Sequence, residues 1–461
     1  MHRIAFKSLF LITILAPSRL VAQTNDDINA GVQFNFSQPG ARALAMGGAF
    51  LALADDSSAA FTNPAGLTHL LVVGPQLSAE LRDWHYTNVF SDRGHMGGPT
   101  TGIGVDTIAG ISQGESSTSV EGVSFLSFDY VTHGLILAAY RDQVANFGAN
   151  IESQGPLVGT GRDLARISPI RSKMSLRIAN YGASAAYKFG SLSVGVGLSY
   201  YALQLSSLTE RFDVARRTGN PSVDRQPGAF FGPADFLGDN IFNTQSQQGD
   251  DQNWAGSIGI LWKASDVWRG AAVFRKGPSF GIDSTFTWGP RGDGTNGTTD
   301  PSEGGHAVLH VPDIYGLGIA FVPPNRNTRV SLDVDRVEYS RLADGLVNIL
   351  SRAGTNTDFK RSDFQIKDAT EAHLGVEYTF VDTPIFIGTA RFGDWWDPAH
   401  KLMYVGQDPN LRARFLPGSD ENHLTFGVGF VIKKNFEADG AFDHSHAVST
   451  LSISLVKFFP D

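Results

Sequence analysis

The chain has 461 residues, with 51 Gly, 32 Phe, no Cys and a formal net charge of −9. Lacking Cys, it has no disulfide framework, thiolate chemistry or lipid-modified Cys, and no basic run of the kind that tracks nucleic acid is present. Only 42% of residues are hydrophobic, unlike a helical membrane protein but suited to a barrel that is apolar outside and polar within.

In chain order, His2, Arg3 and Lys7 precede the apolar run Leu9 to Ala16, and Leu20-Val21-Ala22 stand before Gln23. A basic start, a short apolar run and a small residue at the cut predict a secretory signal peptide over 1–22, with Arg19 close to the cleavage point. The run falls short of the roughly 20 residues of a spanning helix, which disfavours a retained anchor. Cleavage takes three of 37 basic residues and leaves 34 against 46 acidic ones. No later stretch is apolar for long enough to span as a helix, so membrane residence requires a closed barrel.

Residues 23–72 read as a compact plug, or hatch. Leu44, Met46, Phe50 and Leu53 recur at roughly helical spacing, interrupted by Gly47-Gly48; short helices packed inside a barrel fit this better than a lipid-facing strand. Asp55 and Asp56 lack the His, Cys or further carboxylate neighbours of a metal site, and are expected to cap a backbone turn or pair with a lumen Arg. Asn63-Pro64 reads as a turn, since Pro64 fixes its own φ and Asn63 can bond nearby backbone. With Ala65 it either closes the plug or takes a direct part in ligand passage.

Residues 73–461 are dominated by period two. Val194, Val196 and Leu198 alternate with Gly195, Gly197 and Ser199; Val330, Leu332 and Val334 alternate with Ser331, Asp333 and Asp335. The apolar set is assigned to lipid and the small or charged set to the lumen. Strands are expected near 75–85, 121–131, 134–148, 173–189, 191–204, 253–264, 266–278, 306–322, 326–340, 362–381, 384–395, 421–433, 434–444 and 447–459. Very short links follow the even strands, while long ones (86–120, 149–172, 205–252, 279–305, 341–361, 396–420) follow most odd strands. That rhythm fits short periplasmic turns and long outer loops, and predicts an all-β transmembrane barrel of about 14 antiparallel strands. A soluble sandwich or propeller needs neither the export signal nor this alternation. Trp84, Trp254, Trp262, Trp268, Trp288, Trp395 and Trp396 fall mostly at strand ends, where interfacial girdles belong.

The outer loop 205–252 carries Phe230, Phe231, Phe236, Leu237, Ile241 and Phe242 amid Gly, Pro and Asp. Exposed apolar clusters mark binding surfaces, which makes these the candidate ligand-capture residues; a loop folding its own small core is the plainer alternative. Lumen-facing Arg82 and Arg391 are candidates for an acidic headgroup, against pairing with Glu80, Asp333 or Glu377. His444 and His446 read as a short polar outer turn. No catalytic elbow, P-loop or zincin motif has persuasive context, so no enzyme activity, metal or cofactor is expected.

The stretch GARALAMGGAFLALADDSSAAFTNPAGL from Gly40 to Leu67 resembles the hatch of the long-chain fatty-acid transporter (FadL/TodX-type) family of outer-membrane proteins, and Pro312-Asp313 ahead of Tyr315, Leu317, Ile319 and Phe321 resembles a recurring start of one of its strands. The resemblance implies passive, hatch-gated uptake of long-chain fatty acids or other hydrophobic compounds across the cell outer membrane. It also implies sideways exit beside a bent third strand, here Gly134 to Phe147, where Arg141-Asp142 break the apolar pattern. Implied partners are a fatty acid or aromatic ligand, outer-membrane lipid and lipopolysaccharide, and the barrel-assembly machinery during biogenesis. Some hatch-bearing relatives handle proteins in secretion systems, which is the alternative.

Overall fold

The computed structural model describes residues 34, 36–92, 112–153, 157–158, 165–166, 170–212, 241–288, 300–324, 327–346, 360–407, 412, 415, 417–433 and 435–459. The long strands are β1 Gln76–Asp92, β2 Ser112–Thr132, β3 Leu135–Ser153, β4 Ile170–Phe189, β5 Leu192–Phe212, β6 Ile241–Lys263, β7 Trp268–Arg275 and β8 Ser279–Trp288. They continue as β9 Asp300–His310, β10 Ile314–Phe321, β11 Thr328–Val337, β12 Ala369–Asp382, β13 Phe386–Asp397, β14 Glu421–Ile432, β15 Phe436–His444 and β16 Val448–Phe458. Fourteen of these close into an antiparallel ring, running β6 back to β1, then β16 back to β10 and on to β7, which pairs with β6. Closure gives every strand of the ring a neighbour on each side, as an apolar solvent demands. The hairpin β8–β9 stands above the ring; it joins the ladder of β6 at Thr287 and Trp288 and is bonded to it through Asp251, which accepts from Gly281 N, and Asn253, which donates to Ser279 O.

Alternation sets the two faces. On β11, Leu332 and Val334 are exposed while Ser331, Asp333 and Asp335 are buried. Outside is lipid and inside is packed protein, so the exposed set is the apolar one. Trp254, Trp262, Trp268 and Trp396 face outward, but Trp84 and Trp395 are buried in the lumen. The girdle expectation is corrected there: Trp395 and Trp396 are adjacent, and a strand sends neighbours to opposite faces.

The strands also run further than expected. Residues 86–92, 112–120, 205–212, 241–252 and most of 279–305 were assigned to loops, yet much of that chain is ladder. Ser112–Ser119 is polar on both faces, so hydrophobic alternation is missing there although backbone pairing is not; Phe280 and Ile282 of β8 do alternate and are buried. Conversely, expected strands 266–278 and 306–322 belong to a bent hairpin. Pro278 and Pro312 have no N–H for the ladder, and the Asp313 carboxylate bridges the bend, accepting from Gly277 N at 2.8 Å and Lys276 Nζ at 2.7 Å. The expected strand 362–381 also divides: Phe364–Gln365 pairs with Met403–Tyr404 outside the ring, and β12 starts at Ala369.

The N-terminal segment lies within the ring. It forms α1 Ala41–Ala45, α2 Ala59–Thr62, a 3-10 helix Pro64–His69 and α3 Leu70–Val73, broken by turns at Met46–Gly48 and Leu51–Leu53. Its polar groups reach strands on opposite sides of the ring: Glu80 on β1, Ser184 on β4, Asp333 on β11, Thr425 on β14 and Ser454 on β16. Met46, Phe50, Phe61 and Leu67 are buried against Phe125 and Tyr140 of the wall.

Candidate functional site

The plug meets the wall at two seats. At the first, α1 lies against β13–β16. Arg42 is buried, and its guanidinium reaches Asp55 at 2.6 Å, Asp56 at 3.5 Å and Glu377 of β12 at 2.9 Å. Glu377 also receives Arg329 at 2.7 Å and Arg391 at 2.8 Å, and Arg391 continues to Asp439 of β15 at 2.5 Å. One chain of charges thus joins the plug to four neighbouring strands. Burial would raise the Asp55 carboxyl, but Arg42 above all, with Arg269 3.6 Å away, holds it well below the usual carboxylate range. For Asp56 burial prevails and pushes the carboxyl up, against Arg42 and a turn in which it accepts from Ser58 N at 2.9 Å. Asp55 thus pairs chiefly with Arg42 of the plug itself, the wall's Arg269 standing further off, and Asp56 bonds Ser58 within a turn.

The second seat holds Asn63-Pro64-Ala65 against β5 and β6. Asn63 is fully buried; its carboxamide oxygen accepts from Ala65 N at 3.2 Å, and its amide donates to Leu51 O at 3.1 Å and Ile260 O at 3.2 Å. It caps the 3-10 helix, with Pro64 following at a position needing no N–H. The wall beneath is glycine. A Cβ at Gly259 would stand 2.0 Å from Asn63 Oδ1, and one at Gly195 would stand 2.3 Å from Ala65 N. Beside this seat, Arg275 of β7 stacks 4.0 Å over Phe61 and donates to the last carbonyls of α2.

The two headgroup candidates are already occupied by protein. Arg391 lies in the charge chain, while Arg82 donates to Glu80 at 2.6 Å, Ser37 Oγ at 2.7 Å and Gln38 O at 2.5 Å. Of the capture candidates, Phe230, Phe231, Phe236 and Leu237 lie outside the described residues. Ile241 and Phe242 begin β6 rather than lying in a loop, because the ladder with β5 extends to Phe212 and Ile241. His444 accepts or shares a proton with Ser449 Oγ at 2.8 Å, and among the described residues no cluster could hold a metal.

A third feature was legible only as a disturbance in pattern. β2 and β3 pair from Thr132 and Leu135 up to Phe125 and Asp142, and there their ladder stops. β1 continues to pair with β2, and β4 with β3, on either side of the gap. Val144 is the extra residue of a bulge between Gln143 and Ala145 that turns the upper half of β3 inward. Tyr86 of β1 donates to Asn146 O at 3.0 Å and packs against Phe147. The freed backbone is satisfied by side chains: Arg141 donates to Val123 O across the gap, and Gln143 to Ala145 O and Ile178 O. Behind this window lies a small cavity lined by Phe34, Trp84, Tyr86, Phe147 and Leu176.

The family model for outer membrane protein transport proteins (OMPP1/FadL/TodX) matches residues 20–451. Among solved structures, a Pseudomonas aeruginosa FadL homologue superposes with a TM-score of 0.58 at 14% identity, covering 93% of this chain and 99% of that one. The toluene transporter TbuX of Ralstonia pickettii gives 0.55 at 18% identity, with 92% and 99% covered. The toluene transporter TodX of P. putida gives 0.56 at 14% identity, with 93% and 100% covered. No curated protein matches the chain. At these identities the structures establish the shared fold alone.

Proposed function

The chain belongs to the OMPP1/FadL/TodX family of outer membrane transport proteins, and on that footing we propose that it admits hydrophobic compounds passively, releasing them sideways through the window between β2 and β3. The supporting observation is the interrupted β2–β3 ladder with an aromatic-lined cavity directly behind it. A greasy solute gains nothing by crossing a polar lumen, but passing through the wall into lipid keeps its apolar surface out of water. The buried plug fills the lower lumen, which suits lateral release better than straight passage. The outward apolar band would meet outer-membrane lipid and lipopolysaccharide.

Ligand class divides the reading. Toluene transporters share the fold, and the window cavity carries rings and, among the described residues, no Lys or Arg to neutralise a carboxylate. Small aromatic or alkyl compounds therefore fit it better than free long-chain fatty acids. The test is uptake of labelled toluene by cells carrying the wild type or a variant with Val144 deleted, which lets the β2–β3 ladder continue. Uptake should fall at least tenfold at unchanged barrel yield. Uptake as fast as wild type would remove the window from the route.

A further inference from the structure

A second cavity lies against β11, β12 and β13 and adjoins the window cavity, with Ser37 lining both. Its walls combine rings with carboxylates: Phe36, Tyr339 and Trp395 beside Asp335, Glu371 and Asp397. Among the described residues His373 is the one basic side chain lining it. The polar groups are committed unequally. Glu371 accepts from the Tyr339 hydroxyl at 2.9 Å. Asp397 lies 3.1 Å from His400, whose other ring nitrogen faces Phe34 O at 3.1 Å. Both nitrogens of His400 therefore meet acceptors, and burial, which favours the neutral ring, is overcome by Asp397, so that the group titrates at about 9.

His373 is different. Its Nδ1 donates to Gly47 O at 2.8 Å, while Nε2 sits 3.7 Å from Glu371 and 3.8 Å from Asp335, too far to hydrogen-bond either. Asp335, only 5% exposed, keeps its Oδ1 without a hydrogen-bond partner among the described residues, and so does His373 Nε2. A buried polar atom without a partner is costly and calls for an occupant. Three carboxylates face two imidazoles, so the cavity keeps surplus negative charge even with both rings protonated.

We propose that this cavity binds a hydrophobic cation: a protonated amine carried on a single aromatic ring or a short alkyl body. An ammonium offers three donors and no acceptor, matching Asp335 Oδ1 and the nearby Glu371 carboxylate. Phe36 and Leu44 meet the apolar body; because Tyr339 is stacked on His400 at 3.9 Å and Trp395 on His423 at 3.8 Å, the carboxylates and not the ring faces select the charge. A ligand carboxylate would instead face like charges in a partly dry site. The inference rests on the uptake reading only for the route by which the ligand arrives.

The test is calorimetric titration of the full chain in a neutral maltoside detergent with benzylammonium, benzyl alcohol and benzoate. Benzylammonium should bind at least tenfold more tightly than benzyl alcohol, and benzoate most weakly. Asp335→Asn should remove that preference and leave benzyl alcohol binding unchanged; Glu371→Gln serves as a second variant should the first not fold. Benzoate binding as well as benzylammonium, no binding of any probe, or a preference surviving in the variants would each overturn the proposal. Because binding is read on purified protein, failure here is separable from failure of window transport, which the Val144 deletion reads in cells.

Discussion

The two seats of the plug share a glycine floor and differ in everything laid upon it. Under Met46-Gly47, a Cβ at Gly393 would come 2.2 Å from Gly47 N, much as Gly195 and Gly259 make room for Asn63-Pro64-Ala65. Above the first floor runs the Arg42–Glu377–Arg391–Asp439 chain of charges; above the second are amide hydrogen bonds and apolar contact. Lifting the plug from the first seat strands several buried charges, each costly to leave unpaired. Lifting it from the second exposes mainly neutral groups that water can satisfy, with the Arg275 guanidinium the one charge there that loses plug carbonyls. The first seat is therefore the costlier of the two to open, and loosening of the plug is expected first around Asn63.

The sharpest way to break this distinction is to remove Glu377. Glu377→Ala leaves three arginines facing one another, and the loss of a buried partner costs about 3–5 kcal/mol. Hydrogen exchange should then speed across 41–48, to the point that the first seat opens before the second. Gly259→Ala attacks the other side by volume: its Cβ lies where Asn63 Oδ1 stands, so exchange should quicken over 59–69 while 41–45 stays protected. Asn63→Ala is milder, removing neutral hydrogen bonds whose buried partners then go unsatisfied, about 1–3 kcal/mol. It should loosen the same segment with the barrel melt unchanged. A rise in exchange at both seats in either neutral-side variant would mean that the plug moves as one body.

Acidification gives the smallest effect. The folded-state value of Asp55 is depressed, so its stabilisation is present above the unfolded value of about 3.9 and is lost as pH falls below that toward the folded value. Asp56 is raised; its ionisation opposes folding above its folded value, and protonation relieves that opposition as pH falls. Between pH 7 and 5 protection at the first seat should therefore hold or rise slightly, and it should decline only below about pH 4. A decline beginning near pH 6 would contradict the assigned pairing of Asp55.

Much of this was readable in the chain. The fourteen strands follow from period two wherever one face meets lipid, as in Val194–Leu198, and the family was readable in Gly40–Leu67. The outer ladder extension over Ser112–Ser119 was not, since a strand polar on both faces carries no apolar rhythm. Asp55 could be assigned an arginine partner by chemistry, but Arg42 is only 13 residues away while Glu377 is 335 residues from Arg42, and no local pattern joins them. Gly195 and Gly259 looked like ordinary small lumen residues; their role appears only when the plug stands above them. Arg141 marked the bend, whereas the missing pairing beside it is a property of two strands and not of one.

The most direct test of the route is photolabelling with a toluene analogue bearing a diazirine, added to cells and mapped by peptide. The account predicts labels at the window, on Val123, Leu126 and Gln143 to Phe147. Labels concentrated on the plug residues 59–73 and on the periplasmic turns at 190–191 and 433–435, with none on β3, would show that ligand passes straight through the lumen and would contradict it.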